Sequence, residues 1–436
     1  MSSTPRKGHL VVLGTLVAVA IGTVACGSTD SASTSVTKSN GQVGSNIPSS
    51  AFSDYTGVTP HSISVANVST LALGGLFKGA LIGTEAYFAR VNSSGGINGR
   101  TITVKSADDQ FTGEGNVQGV QNALNNEFAL VGGFSADDGY GGAVLAKNSG
   151  MPDVTVVVSL PTNRLPNVVS PVPLAGGWEE GPLQYYKAKY PSEAHAVGTI
   201  ISDQPDALSA WAGEKYALQK VGYKILYEQG VPESQTDFTT NVVAMKNAGV
   251  RMLFLDQLPE IYTSAILKDL AQQSYHPQII LGAGSYSNSL VTNSGGAANV
   301  DGAQVNQNSS FYLGQDSKIV HSVVTFNKWV QTVAPGFKAD IFTFYGWVSA
   351  QLFSEALANA GANPSRGSLL SALSKITSFS GDNIEIPVDP AAKTVSNCYL
   401  VGQVANGDYQ RIEDPPINSS THGYRCDYAY ITPPSG

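Results

Sequence analysis

The stretch Gly74-Gly75-Leu76-Phe77-Lys78-Gly79-Ala80, running on to Arg90-Val91-Asn92-Ser93-Ser94-Gly95-Gly96-Ile97-Asn98-Gly99-Arg100 and Thr101-Ile102-Thr103-Val104, decides how this chain is read. A glycine-rich turn opens it. Ala80, Ala86 and Ala89 with Leu81, Ile82, Tyr87 and Val91 then make a helix that can bury one face. Gly95 suits the left-handed residue that closes a helix, and Asn98-Gly99 suits a two-residue turn that needs positive φ. The strand that follows ends in Asp108-Asp109, a pair expected to cap or bend the chain.

Working outward, short apolar β-branched runs alternate with helix-length amphipathic segments. Strands are predicted at 63–66, 102–104, 128–131, 155–158, 197–201, 225–227, 252–255 and 279–281. Helices are predicted between them, among others at 117–127, 207–221, 238–247 and 262–273. Such alternation means parallel sheets covered on both faces, an α/β class. The alternation falls into two groups, at 61–175 and 193–305, divided by the extended Ser170-Pro171-Val172-Pro173-Leu174-Ala175-Gly176-Gly177. Long helices return at 319–333 and 342–360.

The order helix, Gly-Gly-Ile-Asn-Gly-Arg, strand, Asp-Asp resembles the opening of the type I periplasmic substrate-binding proteins of the branched-chain amino acid (Leu/Ile/Val-binding) class. Phe344-Tyr345-Gly346-Trp347 and the region 379–384 resemble that family's late helix and closing strand region. The resemblance covers about 61–412 and implies a two-lobed fold, each lobe a mostly parallel sheet flanked by helices, with the ligand cleft between. Lobe 1 is expected at 61–175 plus 310–380 and lobe 2 at 176–309. The C-terminal strands at 381–436 are left unassigned to a lobe.

In such sheets the strand carboxyl ends and the following helix amino ends face one edge, where free N–H groups favour an anion. The first-lobe loops there hold Ser69 and Thr70, then Ser135 and Ala136, then Leu160 and Thr162. The resemblance implies that hydroxyls and N–H groups of these loops hold a ligand carboxylate; Ser135 serves equally as a helix cap. The second-lobe loops hold Asp206, Asp256, Gln257, Ser285 and Tyr286. Amino-acid-binding members place an acid on this side for the ammonium group. Gly284-Ser285 occupies one such place without a carboxylate, so either Asp256 substitutes or the ligand lacks an amine. Phe77 and Tyr286 are placed either to stack on a ligand or to pack in the core.

The chain has 436 residues and opens with Arg6 and Lys7 before an apolar run at 10–24. That run is shorter than the ~20 residues that span a bilayer, so 1–25 reads as a signal peptide. Thr23-Val24-Ala25-Cys26 resembles a lipoprotein cleavage box, making Cys26 the lipidated residue. The Ser-, Thr- and Gly-rich 26–60 is expected to be a flexible tether. In an exported chain Cys398 and Cys426 are expected to pair, worth ~3–4 kcal/mol of loop closure.

Net charge is −8 and charged residues are only 13%, which argues against nucleic-acid binding. Six His residues form no metal-spaced set, and neither a Gly-x-Ser-x-Gly elbow nor a phosphate loop occurs. No catalysis, cofactor or metal is therefore expected. The resemblance implies a monomeric lipoprotein on the outer face of a bacterial cell membrane. It would capture a small polar or carboxylate-bearing ligand and deliver it to the membrane permease of an ABC importer. The alternative is a sensor that couples the same closure to a signalling receptor.

Overall fold

A computed structural model of the chain describes residues 41–232 and 234–434. The expected signal peptide at 1–25 and the lipidation site Cys26 lie outside the described residues. β1 (Ser62–Ser69) and β2 (Thr101–Asp108) pair in parallel, with Ile63 opposite Ile102 and Val65 opposite Val104. Between them runs α1 (Lys78–Ser93). Gly95 follows it at φ +95, and Ile97 and Arg100 exchange two backbone hydrogen bonds around Asn98 (φ +49) and Gly99 (φ +76). Positive φ at both central residues is what a turn matching the strand twist requires.

β3 (Leu130–Val131) and β4 (Asp153–Val154) complete a four-stranded parallel sheet in the order β2-β1-β3-β4. Helices α2 (Gly113–Asn126), α3 (Asp138–Leu145) and α4 (Leu160–Asn163) follow β2, β3 and β4. The run 155–158, expected as a strand, carries no ladder, and β4 ends before it at Val154. Its last N–H, that of Val158, goes to the Asp138 carboxylate rather than to a neighbouring strand (2.6 Å).

The chain then crosses at 170–177 into β5 (Trp178–Glu179) and α5 (Glu180–Lys189). The second lobe alternates strand and helix: β6 (Val197–Ser202), α6 (Pro205–Val221), β7 (Ile225–Val231), α7 (Thr239–Ala248), β8 (Met252–Leu255), α8 (Glu260–Gln272), β9 (Gln278–Leu281), α9 (Ser289–Asn293) and β10 (Gln304–Gln307). Every residue of β6 and β8 is buried, as the interior of a parallel sheet covered on both faces demands.

Three helices return to the first lobe: α10 (His321–Val333), α11 (Ile341–Asn359) and α12 (Arg366–Leu373). Asp340 caps α11 by accepting from the Thr343 N–H at 2.8 Å. α1 and α11 cross backbone to backbone. A Cβ on Gly83 would fall inside the radius of the Thr343 carbonyl oxygen, and one on Gly346 inside that of Ala80. Around this crossing pack Tyr87 and Trp347, edge to face at 4.9 Å, and Phe88 with Phe353 at 5.8 Å.

The C-terminal segment adds β11 (Leu400–Ala405) and β12 (Asp408–Arg411) to the second sheet, antiparallel to β10 and to each other. The seven-stranded order is β12-β11-β10-β9-β8-β6-β7. β13 (Tyr430–Ile431) pairs with β5, and Cys398 is bonded to Cys426.

The expected tether is corrected from Gly41 onward. Val43 and Ala51 are buried, the Gly44 N–H donates to Pro166 O at 2.9 Å, and Asp54 pairs with Arg366 at 2.9 Å. Arg366 also donates to the carbonyls of Leu124 and Glu127. Averaged composition hid these few anchors, whose partners come from helices far along the chain.

Candidate functional site

At the carboxyl end of the first sheet, the hydroxyls singled out in the sequence are already engaged. Ser69 donates to Asn67 Oδ1 at 2.7 Å and accepts from the Phe134 N–H at 3.0 Å. Thr70 donates to Asp109 at 2.6 Å. Ser135 accepts from the Asp137 N–H at 3.0 Å, and Thr162 lies against the Asp138 carbonyl at 3.5 Å. Asp108 accepts from the N–H groups of Leu71 and Gln110, both at 2.9 Å, so the Asp-Asp pair bends the chain. These four hydroxyls build the loops.

What the loops present is aromatic. Phe77 packs on Phe342 at 4.6 Å and on Phe134 at 4.9 Å, and Phe134 stacks on Tyr345 at 5.7 Å. Phe342, Tyr345, Phe111, Ala136 and Leu160 are only half-buried and leave an apolar wall open. Phe342 and Tyr345 were missed in the sequence because they arrive on α11, at helical spacing that reads as core.

The second lobe presents acid. Asp256, in the loop after β8, is half-buried, and its Oδ2 accepts from no donor. Glu214 on α6 is 1% exposed; its Oε2 accepts from Gln257 Nε2 at 2.8 Å, while its Oε1 has no donor. Burial and the neighbouring Asp256 push the Glu214 carboxyl well up, and burial raises Asp256. Glu179, on β5, is pushed to about 7 by burial and then by Asp256. Asp206, in the first turn of α6, is raised by burial and by the Asp137 charge of the facing lobe. Burial, then Glu385 and Glu179, lift the Tyr345 phenol to about 12, which ties the aromatic wall to the acidic one. Glu179 and Glu214 had no local signal: one lies beyond the crossing and the other faces inward from mid-helix.

Ser285 departs from the expected ligand loop, and Tyr286 takes the second of its two alternatives, packing in the core. Both are fully buried. Ser285 shares a hydrogen bond with Thr263 at 2.7 Å. The Tyr286 hydroxyl donates to Leu313 O at 2.9 Å, and its ring packs on Tyr409 and Tyr312. The short turn after β9 folds them under the sheet edge, into the second lobe's core.

Among the described residues, no three His, Cys, Asp or Glu side chains converge to hold a metal ion, and no helix is long and apolar enough to cross a membrane.

Two sheets, the first parallel and the second parallel up to β10, joined by crossing segments and flanked by helices, define a two-lobed binding fold. The chain belongs to the periplasmic binding protein family, whose model matches residues 64–408. It is 24% identical over 289 residues to Leu/Ile/Val-binding protein homolog 1 of Brucella suis biovar 1, covering 64% of this chain and 73% of that protein. A fatty acid ABC transporter substrate-binding protein from Thermomonospora curvata shares the fold, with a TM-score of 0.68 at 15% identity over 87% of this chain and 95% of that one. So does a solute binding protein of an ABC transporter from R. palustris in complex with 4-hydroxybenzoate, with a TM-score of 0.67 at 15% identity over 81% of this chain and 96% of that one. The type I fold and the Leu/Ile/Val-binding likeness implied by the Gly-Gly-Ile-Asn-Gly-Arg block are thus found.

Proposed function

We propose that this chain is an extracytoplasmic solute-binding lipoprotein. It captures one small organic molecule between its lobes and delivers it to an ABC importer. The observation that carries the reading is a half-open aromatic wall on one lobe facing unpartnered carboxyls on the other, at the strand ends where this fold binds ligands. A guest touching both walls stabilises the closed form by contacts it lacks in the open one, and the permease reads that shape. No bond is made or broken. Ala136, Leu160, Asp206 and Asp256, with Phe342 and Tyr345, are the proposed contacts. Thermal-shift screening across amines, amino acids, carboxylic acids, amides and sugars, followed by small-angle scattering with the best hit, tests this. A raised melting temperature with a smaller radius of gyration and no turnover is expected. Silence across the whole panel overturns it.

A further inference from the structure

Resting on the binding-protein reading above, we propose that the guest is an organic cation. It is a protonated amine with an apolar body and no carboxylate, held between the rings of Phe342 and Tyr345 and the carboxyls of Glu179 and Asp256.

The place where a ligand carboxylate would sit is taken by the protein itself. Asp138, the first residue of α3, accepts from the Val158 N–H at 2.6 Å and the Ser159 N–H at 3.1 Å. Those are two N–H groups of the loop after β4, and an internal carboxylate satisfies them. Asp137 stands at the N-cap of the same helix, and Asp206 faces both from the other lobe. A second carboxylate here meets the like charge of Asp137, Asp138 and Asp206.

The opposite charge is what the site lacks. The charges that help raise Asp137, Asp138, Glu179, Asp206 and Glu214 are those of other carboxylates. Glu214 Oε1 and Asp256 Oδ2 have no donor, and their carboxyls are near enough to share a proton. Glu385, 2% exposed and beside Tyr345, also has an Oε1 without a partner. Buried acceptors of this kind are completed by a donor that arrives with the guest. A metal ion does not suit the spread of these acids, since no three of them converge. A larger cation does, because aromatic faces such as those of the half-buried Phe342 and Tyr345 attract ammonium groups and shed the water around them.

Groups that face Asp256 are Glu179 from β5, Tyr186 from α5 and Glu214 from α6. The cation and the shared proton compete for the same oxygens. Affinity for an amine therefore rises with pH, by about tenfold between about pH 6 and about pH 8 for one displaced proton.

The test is calorimetry on the full chain with two matched triplets. One is 2-phenylethylamine, phenylalanine and 3-phenylpropanoate; the other is isopentylamine, leucine and 4-methylpentanoate. We expect an amine to bind most tightly in at least one triplet, its carboxylate partner to bind at least about a hundredfold more weakly, and the pH trend above. The Asp256→Asn variant should lose at least about tenfold in amine affinity while its melting temperature holds or rises. If it fails to fold, the pH trend of the unaltered chain decides. An amino acid or carboxylate that binds best overturns the cation and leaves the solute-binding reading intact. Silence of all six overturns the cation too; the binding reading falls only if the wider panel of amides and sugars is silent as well.

Discussion

Single carboxyl groups set the character of this molecule. Glu179 and Asp153 are both pushed to about 7, mainly by burial, from ordinary values of 4.5 and 3.8. Glu214 and Glu385 are raised well above the ordinary value by the same cause. Each holds its proton more tightly folded than unfolded, so each stabilises the fold below its unfolded pKa. That contribution is lost as pH rises through the folded value. The guest-free chain should therefore melt higher at about pH 5.5 than at about pH 8 by differential scanning calorimetry, and a flat profile would contradict the burial of these groups. Lys393, lowered to about 8 by burial, acts only above that window. The Asp-Asp pair after β2 was readable as a chain bend because its partners are local. Asp138 was not, since its partners Val158 and Ser159 lie in another loop.

At the scale of elements, the crossing of α1 and α11 holds the first lobe together. Both helices were legible from their periodicity, and Asn98-Gly99 placed the turn before β2. That they meet through Gly83 and Gly346 was not, because a glycine needed for close approach looks the same in sequence as one that merely weakens a helix. Gly83→Ala should cost about 1–3 kcal/mol in urea denaturation, as a methyl group is forced against the Thr343 carbonyl. An unchanged midpoint would mean that the helices stand further apart. The strand expected at 155–158 failed for a related reason. Its β-branched residues satisfy the local pattern, but no strand lies beyond it, and a side-chain carboxylate takes its last N–H.

For the whole molecule, the proposed lipid anchor implies a simple fractionation result. Each buried acyl CH₂ is worth about 0.8 kcal/mol, so a multiply acylated Cys26 would hold the chain at the membrane firmly. Cys26→Ser should move the protein from the membrane pellet to the soluble fraction, and a variant that stays in the pellet would overturn the lipoprotein reading. The segment from Gly41 would then start within the body rather than add reach, because Val43, Ala51 and Asp54 are fastened to it. The α/β class, the two groups of alternating elements and the Cys398–Cys426 pair were settled by the order of residues alone. Periodicity, positive φ and cysteine count are local or compositional and need no neighbours. Only tertiary structure decided that Glu214 and Asp256 meet, with Glu179 within reach of the Asp256 charge, while Ser285 and Tyr286 withdraw into the core. That outcome depends on β8 lying beside β6 and on the chain recrossing at β5, and such pairings are set by burial of the whole sheet rather than by any one stretch.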